Sequence, residues 1–420
     1  MRTKFTKIFL LLVVLCLLFS SVSYAFDIKG YAQAMNSKLV EWRRHLHANP
    51  EIGFNLPQTE AFIVQKLKEI GIENIQQGVA GHGVVVLIEG KKPGKVLAIR
   101  ADMDALNMKE DTGLPFASKN DWMHACGHDA HMAMLLGAAE ILWQCRDELQ
   151  GTVKLIFQPF EEGTENGIGG AQAMINEGVL ENPKVDAIIG LHSGSLWKGA
   201  VAGEVGYRPG PLMAAVEWID VTFNGKGAHG ATPHLSVDPI SIASQVITQI
   251  QTIIARELNP LDPAVLSICM IQGGTAPNVI PQDCTIKGTI RTFSPEGRKL
   301  LQDRFTQICE EVAHSMRGSA TVKLDKGPPP VINERVMTEK LRIAATDILG
   351  ANHVHEILEP SMTGEDYAFY QEKVPGTLFF LPTTFGNERD FPHHSPKFDT
   401  NEDVLWIGSA TFAQFALTWQ

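Results

Sequence analysis

KVLAIRADMD (95–104), AHMAMLLGAAEILWQC (130–145) and TVKLIFQP (152–159) follow one another in the first half of the chain. The first and third are short apolar runs typical of buried strands, and GVVVLIEG (83–90) is another. The second has the length and composition of a helix. Strands that alternate with helices predict an α/β domain with a largely parallel sheet.

Other segments extend this domain at both ends. Apolar residues recur at helical spacing from Lys29 to Ile70, before the first strand. Late in the chain, the pattern predicts a helix at 335–349, a strand at 376–382 and a final helix from about Glu402. We therefore expect the α/β domain to resume after an interruption.

The interruption is a block with the order β-α-β-β-α-β, which is that of a small ferredoxin-like domain. Its predicted strands cover 215–225, 264–274, 283–293 and 321–327, and its predicted helices cover 238–257 and 297–317. The sequence thus divides into an amino-terminal segment (1–25), an α/β domain in two parts (26–214 and 328–420) and the inserted domain (215–327).

Composition narrows the class of protein. The 420 residues are 44% hydrophobic and 20% charged, which is ordinary for a globular protein large enough for two domains. The chain has 36 Lys and Arg against 47 Asp and Glu, a net charge of −11, and no basic run. It therefore lacks the electrostatic footprint of a nucleic-acid-binding protein.

The amino terminus predicts export. Basic residues at the start precede an apolar run from Ile8 to Phe19, and small residues lead to Ala25. The alternative is a membrane anchor, but the run is shorter than the roughly 20 residues that span a bilayer. We expect cleavage near Ala25, a periplasmic or secreted protein, and no stable membrane insertion afterwards.

The cysteines do not form a disulfide framework. Five remain beyond residue 25, an odd number without regular spacing. At least one must stay unpaired or be used chemically, and Cys126 is the one surrounded by histidines.

That cysteine belongs to HACGHDAH (124–131), which opens the predicted helix. Cys126 and His128 are two apart, so both point at one centre only where the backbone is extended or turning. A helix amino terminus favours a thiolate, and Cys and His are common ligands of borderline-soft metals. Metal binding is the stronger interpretation, and a capped helix start is the alternative.

Further ligand-type residues follow other strands. FQPFEEG ends a buried strand with Glu161 and Glu162, whose side chains point in different directions, so one can bind metal while the other faces a substrate. His192 follows an apolar strand, and His393 and His394 lie in a proline-rich loop. A solvated acidic turn, a structural histidine and a surface loop are the respective alternatives. Together these residues form a coherent metal site.

Nine motifs, in order along the chain, resemble those of the metal-dependent amidohydrolases that include hippurate hydrolases, N-acetyldiaminopimelate deacetylases and indole-acetyl-amino-acid hydrolases. The resemblance implies a metallopeptidase-like catalytic domain interrupted by a lid or dimerisation domain, and a homodimer formed through the latter. The motifs are RADMDAL (100–106), HACGHDAH (124–131), FQPFEEG (157–163), GLHSG (190–194), GKGAHGATPH (225–234), GGTAPNVIP (273–281), GTIRTF (288–293), TGEDYAFY (363–370) and HHSP (393–396).

The resemblance also implies roles for single residues. It implies that two divalent ions are held, with the thiolate shared between them, by Cys126, His128, Glu162, His192 and His394. Thiolate, imidazole and carboxylate donors together suit zinc, manganese, cobalt or nickel. Glu161 is then the general base, and Asp104 orients a metal ligand. Hydrolysis needs both parts, since the metal activates water and a carboxylate moves the proton.

Three implied residues lie in the inserted domain. His229 resembles a histidine that stabilises the developing oxyanion, in some relatives from the other subunit; the alternative is a turn histidine beside glycines. Asn278 and Arg291 resemble residues that hold the substrate's amide and carboxylate. As a strand residue, Arg291 is alternatively a surface charge.

Three positions depart from the resemblance. Phe160 stands where alanine is common, Asn107 where proline is common, and Ser193 where valine is common. None is a predicted ligand or base, but all three lie close to the predicted pocket, so we expect them to bear on substrate preference rather than on activity.

The predicted function is hydrolysis of the amide bond of an N-acylated amino acid. One alternative is a dipeptidase or carboxypeptidase acting on short peptides. The other is a non-catalytic protein that binds metal or ligand, which has no need of a carboxylate such as Glu161 beside its ligands.

Overall fold

The structure is a computed structural model that describes residues 26–197 and 199–420. The predicted signal peptide, residues 1–25, lies outside the described residues. No helix in the described ranges combines the length and the apolar character that crossing a membrane requires.

Ten α-helices lie in this part of the chain. The helical pattern of residues 29–70 is divided among α1, α2 and α3 rather than continuous, since Pro50 and Pro57 bracket a break. Gly71, with φ of 100°, ends α3. The helices are α1 Ile28–Ala34, α2 Asn36–Ala48, α3 Pro57–Ile70, α4 His128–Gln144, α5 Gly170–Asn176, α6 Pro239–Thr252, α7 Pro295–Ser315, α8 Arg335–Leu349, α9 Ala368–Gln371 and α10 Leu405–Thr418.

The strands form two main sheets and two short ribbons. Their bounds are β1 Ile75–Val79, β2 Gly83–Glu89, β3 Lys92–Asp102, β4 Gln150–Gln158, β5 Ala187–Ser193, β6 Val205–Tyr207, β7 Gly210–Met213, β8 Ala215–Asn224, β9 Ala228–His229, β10 Ala264–Gly273, β11 Val279–Ile280, β12 Asp283–Thr292, β13 Ser319–Lys326, β14 Val331–Asn333, β15 Val354–Glu356 and β16 Gly376–Leu381.

The larger sheet has the order β1-β2-β4-β3-β5-β16-β6-β15. Its centre, β4-β3-β5-β16, is parallel, but β1 and β2 run antiparallel to their neighbours, and so does β6 against β16. The expectation of a largely parallel sheet was therefore wrong at the edges. A short connection such as the one between β1 and β2 makes a hairpin, because a parallel crossover needs a dozen or more residues.

Both faces of this sheet are covered, which explains its continuous apolar runs. On β3, Leu97 and Ile99 pack in the cluster that contains α4 and α10, whereas Ala98 packs in the cluster on the opposite face. Helix α4 is buried along most of its length. Ser409 of α10 donates to the carbonyl of Met134 at 2.8 Å, so these two helices are in close contact.

The second sheet is antiparallel, with the order β10-β12-β8-β13. With α6 and α7 it has the predicted β-α-β-β-α-β connectivity and the strand order of a ferredoxin-like fold. Ile219 and Val221 of β8 are buried with α6 and α7 in a separate apolar cluster. The division at residues 215 and 327 stays a prediction.

Candidate metal centre and active site

Cys126 and His128 are brought to one centre by the glycine between them. Gly127 has φ of 91° and precedes the first residue of α4. A Cβ atom there would lie 2.5 Å from Ser193 Oγ, in a backbone conformation that L side chains rarely adopt. The turning backbone that the spacing demanded is thus made by Gly127.

Two histidines present the same nitrogen to this centre. His128 Nδ1 donates to the carbonyl of Asp104 and His192 Nδ1 donates to that of Ser193, both at 2.8 Å. In the neutral imidazoles, these hydrogen bonds keep the proton on Nδ1 and leave Nε2 as the nitrogen that can bind a metal. His192 Nε2 lies 3.5 Å from Cys126 Sγ. His128 Nε2 is buried and has no hydrogen-bond partner within residues 26–197 and 199–420.

Of the two loop histidines, His394 joins this cluster. Its Nε2 lies 3.2 Å from Glu162 Oε1, and its backbone N–H donates to the carbonyl of Ala125 at 2.8 Å. His393 instead donates from Nε2 to the carbonyl of Ser193 at 2.9 Å.

The five predicted ligands form two groups that share the thiol. Within each group the ligand atoms lie within 4.8 Å of one another. The thiol, imidazole and carboxylate donors, together with the unpartnered His128 Nε2, fit one or two divalent transition-metal ions. The groups are Cys126, His128 and His192, and Cys126, Glu162 and His394.

Burial shapes the protonation of these ligands. It raises the pKa of the Cys126 thiol well above its usual range, with a further contribution from the charge of Glu162. An adjacent cation reverses this effect, because coordination deprotonates a thiol. Burial lowers the pKa of His192 well below its usual range, and the neighbouring His131 and His393 add to the shift. A neutral imidazole is the form that binds a metal.

Asp104 holds the two glutamates as well as a ligand. Its carboxylate accepts from the backbone N–H of Glu161 and from that of Glu162, each at 3.0 Å, while its carbonyl accepts from His128. One residue therefore fixes the loop after β4 relative to the start of α4.

The two adjacent glutamates differ in acidity. Burial, with repulsion from Glu365 and Glu162, raises the pKa of Glu161 well above its usual range. Burial also opposes ionisation of Glu162, but the hydrogen bond with His394 and the charge of His128 lower its pKa. Neighbouring carboxylates whose pKa values are pushed apart are suited to different tasks, here proton transfer and metal binding.

Sequence reasoning missed a buried charged network beneath the cluster. Arg100 donates to Asp102 at 2.9 Å and to Asp366 at 2.7 Å, and lies 3.1 Å from Glu365. His131 Nδ1 lies 2.6 Å from the other oxygen of Asp102. A signal was present, because these residues stand inside RADMDAL, HACGHDAH and TGEDYAFY, and charges in a buried strand need partners.

A cavity of about 1370 Å³ lies between the cluster and the exposed face of the second sheet. Cys126, Glu161 and Arg291 are among the residues that line it. His229 and Asn278 are not; both are exposed on the ribbon of β9 and β11, where the N–H of Gly230 donates to the Asn278 carbonyl. The structure therefore brings together all the predicted site residues except these two.

The three departures lie close to the cavity, each next in sequence to a lining residue, but none of them lines it. Ser193 is fully buried, with its Oγ 2.9 Å from His131 Nε2. Phe160, with φ of 50°, packs edge-on against Phe54, and Asn107 does not line the cavity. These three residues therefore do not influence substrate preference through direct contact with the substrate.

Residues 98–418 match the model of peptidase family M20/M25/M40. The chain belongs to this family. An N-acetyl-L-cysteine deacetylase of Bacillus subtilis is 42% identical over 375 residues, 88% of this chain and 85% of the relative. Thermostable carboxypeptidase 1 of Saccharolobus solfataricus is 37% identical, over 93% of this chain and 97% of the relative.

A solved structure of a member, described as a dinuclear metal-binding peptidase from Bacillus subtilis, superposes with a TM-score of 0.78 at 36% identity. The match covers 92% of this chain and 98% of the other. The predicted family, fold class and metal-dependent hydrolase activity are thereby confirmed.

Proposed function

We propose that this M20 hydrolase cleaves the amide bond of N-acylated amino acids and releases a carboxylic acid and an amino acid. The observation that carries this proposal is Glu161, a partly buried carboxylate that lines the cavity next to the ligand Glu162. A site that only binds a metal has no use for a second carboxylate with a raised pKa.

The residues divide the chemistry as follows. The two ligand groups that share Cys126 would hold a pair of divalent ions, and these would supply an activated water and polarise the scissile carbonyl. Glu161 takes the proton from the attacking water and passes it to the leaving amine. Arg291 binds the carboxylate of the amino-acid part. Arg291 suits this task because it lines the cavity and has no ion-pair partner among the described residues.

A substrate panel tests the proposal. Benzoyl-, acetyl- and indole-acetyl-amino acids are compared with free dipeptides, using protein reconstituted separately with zinc, manganese, cobalt and nickel. We expect turnover of acylated substrates with two ions bound per chain. A fully metallated protein that cleaves nothing on the panel refutes the proposal and favours the binding-protein alternative. Preference for a free α-amino group instead indicates a dipeptidase.

The inserted domain also supports a homodimer. Strand β10 lies at an edge of its sheet, and Met270 and Ile271 on it are about half exposed, at 48% and 52%. An exposed apolar edge strand is a ready template for pairing with another chain. His229 and Asn278 are exposed outside their own cavity, so in a dimer they are free to complete the site of the partner subunit.

Mixing two inactive variants tests this arrangement. His229→Ala lacks the predicted oxyanion donor, and Glu161→Gln lacks the base. If His229 acts in the partner's site, a mixed dimer contains one complete site, so subunit exchange restores up to about a quarter of wild-type activity. No recovery after exchange, or a monomer in analytical ultracentrifugation, rules out action across the interface.

A further inference from the structure

Trp218 is a large apolar side chain exposed inside the cavity. It lies on β8, on the opposite face of the sheet from Ile219, and 54% of it is exposed. Its cross-strand neighbours are Thr289 on β12 and Asp325 on β13, so neither adjacent strand places an apolar residue beside it. Tryptophan gains more than any other side chain from being covered, which makes an uncovered one in an active-site cavity a candidate ligand contact.

Arg291 connects Trp218 to the reacting groups. Its guanidinium lies over the Trp218 ring, 5.4 Å from the centroid, and Nη1 is 3.4 Å from the position of a Cβ on Gly364. Two residues further on, the N–H of Asp366 donates to Glu161 Oε1 at 3.4 Å. The Arg291 guanidinium therefore lies between the indole ring and the segment that contacts the catalytic base.

We propose that Trp218 is a specificity-determining residue that stacks against an aromatic side chain of the amino-acid part of the substrate. This inference rests on the proposed function, with Arg291 holding the carboxylate. The α-carbon carries both the carboxylate and the side chain, so a side chain beside Arg291 reaches the indole. The acyl group is attached across the scissile amide and points away from it.

The charges around the ring favour an uncharged aromatic group over a cationic one. Lys323 and Lys326 line the same part of the cavity as Arg291, against the single carboxylate of Asp325. Asp325 is already paired with Lys323 at 2.7 Å. A lysine or arginine side chain of a substrate meets net positive charge here, whereas an uncharged aromatic ring is not repelled by it.

Four substrates distinguish contact of Trp218 with the amino-acid side chain from contact with the acyl group and from a structural role. They are N-acetylphenylalanine, N-acetylglycine, N-acetyllysine and N-benzoylglycine. Metallated wild-type protein is compared with Trp218→Ala and Trp218→Leu, with Trp218→Phe as the matched aromatic control. We expect Trp218→Ala to lose about 10-fold in kcat/KM on N-acetylphenylalanine, mainly through KM, because stacking and apolar burial are both removed. On N-acetylglycine and N-benzoylglycine we expect kcat/KM to change by no more than about 2-fold. Glycine has no side chain to stack on Trp218, so these two substrates do not depend on the ring.

The remaining outcomes are decisive. Trp218→Phe should retain most of the activity on N-acetylphenylalanine, and Trp218→Leu should not. Equal losses on all four substrates indicate a structural role for Trp218 and overturn the inference. A loss confined to N-benzoylglycine also overturns it, because Trp218 then contacts an aromatic group on the acyl side. Wild-type protein that cleaves none of the four refutes the proposed function itself. If Trp218→Ala does not fold, comparing Trp218→Leu with Trp218→Phe still tests whether an aromatic ring is needed at this position.

Discussion

Glu161→Gln lowers kcat by about 10²- to 10⁴-fold while the protein keeps its metal, because an amide cannot accept the proton from water. The substitution preserves the size of the side chain. Glu161 lies within ligand distance of His128 and Glu162, but it belongs to neither group that contains the shared thiol of Cys126, so both groups stay intact and the metal should be retained. Steady-state kinetics on the best substrate of the panel, with metal analysis of the same samples, measure both quantities.

Two neighbours serve as controls for this prediction. Glu162→Gln removes a ligand and should lose metal and activity together. Glu165→Gln makes the same chemical change at an exposed position of the same loop, away from the ligand groups, and should keep both. Retention of wild-type turnover by Glu161→Gln would show that another group moves the proton.

Arg43→Met lowers the free energy of unfolding by about 3 to 5 kcal/mol, because it leaves a buried carboxylate without its counter-charge. Arg43 and Asp129 are both fully buried and lie 2.7 Å apart. Asp129 follows the ligand His128 in the first turn of α4, and Arg43 also reaches Asp399 and Glu402 before α10. Urea unfolding of the metal-free proteins, followed by circular dichroism, gives the difference.

Arg44→Met is the matched control. Arg44 is 49% exposed and pairs with the same Glu402 at 2.6 Å. A solvent-exposed pair contributes at most about 1 kcal/mol, so the two adjacent arginines should differ several-fold in effect. If both variants lose the same free energy of unfolding, burial does not make the Arg43 ion pair more stabilising than the exposed Arg44 pair.

The same ion pair predicts an acid dependence. Despite burial, the charge of Arg43 and the hydrogen bond with His47 hold the pKa of Asp129 well below its usual range. The stabilisation is therefore complete above the unfolded-state pKa of about 4, and it is lost as the pH falls towards the lower folded-state pKa. Between pH 6 and pH 3, wild-type protein should lose more stability than Asp129→Asn. Equal losses would mean that this carboxylate is not linked to folding.

Much of the site was predictable because local chemistry encoded it. Cys126 and His128 flank a glycine, and Glu161 and Glu162 end a buried strand, so the type and spacing of these residues already indicated ligands and a base. The resemblance then separated His394 from His393, which local pattern could not do. The carboxylate of Asp104 was expected to orient one ligand; the coordinates show that its backbone carbonyl accepts from His128, while the carboxylate accepts from both glutamate N–H groups.

By itself, the sequence determined the α/β alternation, the inserted β-α-β-β-α-β block and the types of ligand, because these depend on hydrophobic periodicity and donor chemistry over a few residues. Tertiary structure alone decided which distant side chains meet. Arg100 finds Asp366 across 266 positions of the chain, and Trp218 faces the cavity because the second sheet turns one side towards the catalytic cluster. Such pairings arise when strand ends and helix ends converge, and no local pattern specifies their partners.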